Sequence, residues 1–414
     1  MESKVFKKNR ERLAEKLDDN SVVILFSGKA PKKIGDENYD FTPNRNFYYL
    51  TGIDEENDII LIAKINNIVT EKLFIKEIDL EKERWIGKSL RKNEAEDISA
   101  INEILYLNDF KPFINKIFGN NNNITLFLDF ERDDFDSLST TEESFAQEVS
   151  KKYPHLWIKK INSYIRELRL IKSKEEVDYI KKAISITIKG VNELMKKSKA
   201  GIKEYQLEAY FDFECKTNGA TDYAFKTIAA AGKNAATLHY VDNNSDINDG
   251  DLILFDLGAQ YNYYNADITR TFPANGKFTK RQKEVYSAVL RVNEAVINAI
   301  KPGVKYKELN EWAKGLIAKE CINLGLIKSE DEVSKYYWHS IGHSLGLETH
   351  DVDSPKRDTV FKEGMVWTVE PGIYIGEEEI GIRIEDNVLV TKNGVEVLTK
   401  NMIKYIQDIE KFMK

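Results

Sequence analysis

Residues 252–272 read LILFDLGAQYNYYNADITRTF, and their pattern sets two acids, Asp256 and Asp267, against an apolar hairpin. Leu252 to Phe255 is a strand-sized apolar run. Tyr261 to Asn265 turns the chain, and Asp267-Ile268-Thr269 reads as the returning strand. Such a hairpin brings both carboxylates to the same end of a sheet. A carboxylate among large apolar side chains is costly to bury unless something neutralises it, and a divalent cation would do so.

Further along, residues 366–385, VWTVEPGIYIGEEEIGIRIE, repeat the arrangement with Glu370 and Glu385. Val366 to Glu370 leads out, and Ile382-Arg383-Ile384-Glu385 reads as the strand coming back. The echo extends beyond the acids. Gly250 precedes Asp256-Leu257-Gly258 by the same interval at which Gly364 precedes Glu370-Pro371-Gly372. Gly201-Ile202-Lys203 and Gly303-Val304-Lys305 each open a helical stretch, and Asn275-Gly276 and Asn393-Gly394 mark later turns. The ordered series predicts two matched halves related by a pseudo-twofold axis, with a site between them.

Ahead of the repeat, Ser173 and Glu176 form a capping-box pattern. Val177, Ile180, Ile184, Ile188, Val191 and Met195 follow at steps of three and four, the apolar stripe of one long helix. The first ~160 residues alternate strand-like runs (Val22 to Phe26, Ile59 to Ala63, Ile124 to Asp129) with charged helical stretches, which predicts an α/β domain with a mixed sheet. The boundary is placed near residue 165, giving domains 1–165 and 166–414. The formal net charge of −7 is spread along the chain, so no basic face for nucleic acid is evident. The longest apolar runs are far too short to cross a bilayer, and the charged N-terminus lacks a secretory pattern. A cytoplasmic protein without membrane partners is the expectation. Cys215 and Cys321 fit no disulfide or zinc spacing and are expected in helical core positions.

Four of the five histidines, His239, His339, His343 and His350, share the acidic half of the chain; His155 lies elsewhere. Oxygen ligands alone suit Mn²⁺, Mg²⁺ or Ca²⁺, and adding an imidazole shifts the choice toward Mn²⁺, Co²⁺, Fe²⁺ or Zn²⁺. Four carboxylates balance two divalent ions, between which a bridging hydroxide is an available nucleophile. Arg383, two residues before Glu385, shares its strand face and can pair with a ligand carboxylate or reach a substrate. Tyr374 alternates in the same way with Glu370.

These segments resemble the pita-bread metallopeptidases, and specifically the bacterial aminopeptidase P group, which cleaves Xaa-Pro bonds. The matching stretches are Asp256 to Ala259, Asn265 to Phe272, His339 to Asp351, Val369 to Tyr374 and Gly381 to Asp386. Asn46 to Gly52 looks like the creatinase-type N-terminal domain of the same enzymes. The resemblance implies a pita-bread fold with a curved antiparallel sheet, preceded by a smaller mixed-sheet α/β domain. It implies two metal ions, manganese first with Co²⁺ or Zn²⁺ as substitutes, held by Asp256, Asp267, His343, Glu370 and Glu385. Glu370 would also act as general base, His239 as oxyanion donor, and His350, His339 and Arg383 would serve the substrate. Tyr374 would meet the substrate, and Trp85 would reach a neighbouring subunit's site in a homodimer or homotetramer. Phe225 departs from the tyrosine found in some relatives. The substrates implied are peptides with proline second. Proline's nitrogen carries no hydrogen, so a site that grips that N–H loses a contact and a dedicated enzyme is reasonable. Xaa-Pro dipeptidase (prolidase) is the alternative, and an inactive peptide-binding pita-bread protein a remoter one. Creatinase lacks this ligand set, and methionine aminopeptidase lacks the preceding α/β domain.

Overall fold

The computed structural model describes every residue except Met1, Asp133 and residues 353–358. The chain forms two compact units, Met1–Arg169 and Leu170–Lys414. The helix Asn162–Leu170 spans residue 165, the boundary expected from the sequence.

In the first unit six strands form one sheet, in the spatial order Ile104–Tyr106, Ile68–Ile75, Ile59–Ile65, Ser21–Phe26, Thr125–Leu128, Trp157–Lys160. The pairings of Ile59–Ile65 are antiparallel, whereas Thr125–Leu128 lies parallel to both its neighbours, so the sheet is mixed. Val22, Ile24, Leu61, Phe74 and Leu126 bury one core with the helix Phe110–Asn120. Asn44 caps the helix Arg45–Thr51 through the N–H groups of Asn46 and Phe47. Asn46 in turn bonds the buried Asp129 at the end of its strand.

The second unit is built from two similar halves. The first begins with the helix Lys174–Lys197, whose capping box is Ser173 with Glu176. The second begins with Lys280–Ala299, boxed by Thr279 and Gln282. Val177, Ile180, Ile184, Val191 and Met195 are buried, while Ile188 is only half-buried. Cys215 and Cys321 are buried and free, each on the second helix of its half.

The glycines of the repeat share one backbone state. Gly201, Gly250, Gly303 and Gly364 have φ of 84°, 82°, 90° and 90°, a region that disfavours any side chain. The hydrogen bonds match as well. Gly201 N donates to Ile247 O and Glu204 N to Ser245 O; Gly303 N donates to Phe361 O and Tyr306 N to Thr359 O. Strand pairings in this unit are antiparallel among the described residues.

One strand pairing departs from expectation. Leu252–Leu257 pairs with Ile268–Pro273 as expected. In the second half, however, Val366–Val369 pairs with Asp386–Thr391, not with the segment ending at Glu385. Ile380–Arg383 instead closes a smaller hairpin with Gly372–Ile375. The observed pairing improves the symmetry: Asp267 and Glu385 each sit immediately before a returning strand, and Asp256 and Glu370 at or just after the outgoing one.

Candidate metal centre

Asp267, His343 and Glu385 offer ligand atoms that all lie within 4.8 Å of one another, and all three residues are buried. Each carboxylate is placed from the opposite half. Glu385 N donates to Thr269 O at 3.1 Å, and Thr269 Oγ1 donates to Glu385 Oε2 at 2.8 Å. Asn387 does the reciprocal work, its Oδ1 accepting from Asp267 N at 3.3 Å and its Nδ2 donating to Asp267 O at 2.5 Å.

Asp256 and Glu370 flank this cluster. Asp256 Oδ2 accepts from Arg383 Nη2 at 2.5 Å. Glu370 Oε1 lies 3.5 Å from His343 Nε2 and accepts weakly from Thr368 Oγ1 at 3.4 Å. Thr368 Oγ1 also accepts from His343 N at 2.9 Å, so one hydroxyl braces two of the five residues.

The donor set fits a cation on three observations. Asp256 Oδ1 and Glu385 Oε1 are buried with no hydrogen-bond partner among the described residues. His343 Nδ1 faces Ser344 O at 3.1 Å; a carbonyl only accepts, so Nδ1 carries the proton. Nε2, the nitrogen left free to ligate a metal, therefore faces Asp267 Oδ2, 3.4 Å away, and Glu370 Oε1. Finally, burial and then the charges of Asp256 and Glu370 push the Asp267 carboxyl well above its ordinary range. Burial and the charge of Asp267 do the same to Glu385, and burial raises Glu370. A divalent ion among these oxygens removes the repulsion.

Around the carboxylates runs a second set of contacts. Arg383, 4 % exposed, donates to Asp256, to Thr269 Oγ1 at 3.0 Å and to Tyr374 OH at 2.9 Å. Tyr374 is buried, stacks on Trp338, and its hydroxyl lies 2.8 Å from His339 Nε2. His339 Nδ1 faces Ser340 O at 2.8 Å and so holds the proton, leaving Nε2 to accept from the tyrosine. Burial, then the Arg383 charge, lowers the His339 pKa to about 3, so this ring is neutral. His350 is exposed at residue level, but its ring lies 4.3 Å from that of His343, and the partial burial of the imidazole lowers its pKa from the ordinary value. His239 is exposed in a turn.

These contacts link the predicted residues of the second unit other than His239, with Tyr374 OH bonded to both Arg383 and His339. Trp85 belongs to the first unit, on the helix Leu80–Ile86, and is 88 % exposed. His155 bonds Phe118 O, also in the first unit. Thr269, Thr368 and Asn387 were not among the residues expected from the sequence. Each lies two residues from a carboxylate on an extended segment, and the period of two would have placed them on its face.

Metallopeptidase family M24 matches residues 178–392, and the aminopeptidase P N-terminal domain matches residues 6–127. The chain belongs to metallopeptidase family M24 and is a hydrolase. It is 32 % identical to the Xaa-Pro aminopeptidase of Haemophilus influenzae, across 99 % of this chain and 96 % of that one. A solved structure of a putative aminopeptidase P from Bacillus anthracis superposes with a TM-score of 0.98 at 49 % identity, covering 100 % and 98 % of the two chains. Aminopeptidase P from Escherichia coli with the inhibitor Pro-Leu gives 0.91 at 28 % identity, with the same coverage. Among the described residues no helix is long and apolar enough to cross a membrane.

Proposed function

We propose that this chain is a metal-dependent aminopeptidase that hydrolyses the bond between an N-terminal residue and a following proline. The buried cluster of Asp267, His343 and Glu385, flanked by Asp256 and Glu370, carries the reading. Full-length similarity to Xaa-Pro aminopeptidases favours it over the dipeptidase alternative.

Asp256, Asp267, His343, Glu370 and Glu385 would hold two divalent ions; Mn²⁺ is the proposed metal. When bound, the ions polarise the scissile carbonyl and acidify water. Glu370 accepts the proton of the attacking water and passes it toward the leaving proline nitrogen. His239 donates to the oxyanion developing on the Xaa carbonyl. His350, exposed at residue level, contacts the peptide beyond the scissile bond. Arg383 orients Asp256, while the neutral His339 and Tyr374 hold the guanidinium in place.

The proposal extends to a cytoplasmic location and to a homodimer or homotetramer, in which the exposed Trp85 is available to a neighbouring subunit's site. The domains proposed are an N-terminal creatinase-like domain and a C-terminal pita-bread domain that supplies the catalytic residues. The decisive experiment supplies Mn²⁺-loaded protein with an Xaa-Pro dipeptide and an Xaa-Pro-Xaa tripeptide in parallel. Release of the first residue from the tripeptide is expected. Cleavage of the dipeptide alone would replace the reading with prolidase, and cleavage of neither would leave a peptide-binding protein. Glu370→Ala should abolish turnover in a folded protein; retained turnover would remove Glu370 from its role.

A further inference from the structure

The segment from His339 to Asp351 contains no helix and only a single strand bridge, Ser344 with Trp367, yet it carries three of the four clustered histidines. Two backbone bonds fold it on itself: Asp351 N to Ser344 O at 3.0 Å, and Gly346 N to Glu348 O at 3.1 Å. Gly346 O also accepts from Asn265 N at 2.9 Å, two residues before Asp267. A buried ion pair ties the far end of this loop to the start of the unit's first long helix. Lys172 Nζ lies 2.9 Å from Asp351 Oδ2, with the two side chains 2 % and 1 % exposed.

Lys172 is itself held firmly. Its N–H donates to Gly364 O, and the next residue, Ser173, caps the 24-residue helix Lys174–Lys197. The loop makes room for the pair at one residue: a Cβ on Gly346 would fall 2.4 Å from Asp351 Oδ2 and 3.0 Å from Lys172 Cε. A buried ion pair adds little net stability, since desolvation offsets its attraction, and fixing register is the best-attested use of such a pair. The residue preceding Asp351 is His350, which is exposed at residue level and whose ring meets that of His343 edge-on at 4.3 Å, so its reach toward solvent is set by the backbone at 350–351 together with that one ring contact.

We propose that the Lys172–Asp351 ion pair is a positioning element that sets His350 toward the peptide, an inference that rests on the substrate role given to His350 above. The pair acts through the backbone at residues 350–351, and neither side chain touches substrate.

The test is a double-mutant cycle on Mn²⁺-loaded protein. Lys172→Met with Asp351→Leu replaces the pair by apolar groups, and the exchange is made in the parent and in a His350→Ala background. Readouts are kcat and KM on an Xaa-Pro-Xaa tripeptide, and calorimetric Kd for the dipeptide Pro-Leu. In the parent the exchange should lower kcat/KM by about 10- to 100-fold and weaken Pro-Leu binding, the loss expected when a substrate contact is misplaced. In the His350→Ala background it should cost less than about twofold, because the group it positions is gone. Equal losses in both backgrounds, or none in the folded parent variant, would overturn the proposal. If His350→Ala alone changes neither readout, the role of His350 fails and the proposal with it. Should the double exchange not fold, Asp351→Asn, which keeps an oxygen facing Lys172, enters the same cycle. A smaller loss is then expected in the parent, and equal losses in the two backgrounds, or none in the parent, again overturn the proposal.

Discussion

Arg383 Nη2 lies 2.5 Å from Asp256 Oδ2, so a guanidinium from the second half of the repeat neutralises a carboxylate from the first. The same group reaches Thr269 Oγ1 and Tyr374 OH, which makes it a three-way brace in a buried site. Planar, forked donors suit that task and a lysine ammonium does not.

Removing that brace leaves a largely buried acid, its side chain 14 % exposed, without its cation. Arg383→Met is expected to destabilise the metal-free protein by about 3–5 kcal/mol, the usual cost of stranding one partner of a buried pair. With Mn²⁺ bound the loss should shrink, because an ion takes over the neutralisation. Urea unfolding with and without Mn²⁺ measures both.

Metal removal should show a pH dependence of defined sign. Asp267 and Glu385 hold their protons more tightly in the folded state than in the unfolded chain. Their contribution to stability is complete below the unfolded carboxylate range, near ~4, and is lost as pH rises through the raised values. Chelated protein therefore loses stability as pH rises. Added Mn²⁺ should raise Tm more at pH 8 than at pH 5, which scanning calorimetry at the two pH values would check.

Thr269→Val keeps the volume and deletes the hydroxyl that donates to Glu385 and accepts from Arg383. Groups that orient ligands this way are worth roughly 10- to 100-fold in metal affinity. A loss of that size is expected in competition titrations of Mn²⁺, with the far-ultraviolet circular dichroism unchanged.

A separate titration belongs to the first unit. Asp58 is buried, and burial, then the charge of Glu55, pushes its pKa up from 3.8 to about 8. The folded form binds the proton more tightly than the unfolded one. Its stabilising effect is thus complete below pH ~4 and gone above pH ~8. Asp58→Asn should leave stability near pH 4 unchanged and raise it by a few kcal/mol near pH 9. Denaturant melts at the two pH values test this.

Much of the architecture is legible in the chain because it is written in local patterns. The capping box at Ser173, the stripe from Val177 to Met195 and the hairpin 252–272 each follow from short-range spacing. The paired glycines expose the repeat because a positive φ is a local demand that few residues other than glycine meet. The partner of Val366–Val369 is not legible for a related reason. Ile380–Arg383 and Asp386–Thr391 are both apolar strands, and spacing alone does not say which one Val366–Val369 will choose. That choice is a long-range pairing decided by the packing of the two halves.

The sequence by itself determined the inventory: four acids and an imidazole in repeated settings, on a chain whose glycines and caps impose two similar halves. Tertiary structure decided how the inventory is wired. Only folding brings Arg383 to Asp256 across 127 positions, makes Thr269 and Asn387 the reciprocal supports of Glu385 and Asp267, and ties Lys172 to Asp351 across 179. The physical reason is range. Backbone conformation and periodicity are set by neighbours in the chain, whereas the cost of a buried charge is met by whatever partner the fold delivers.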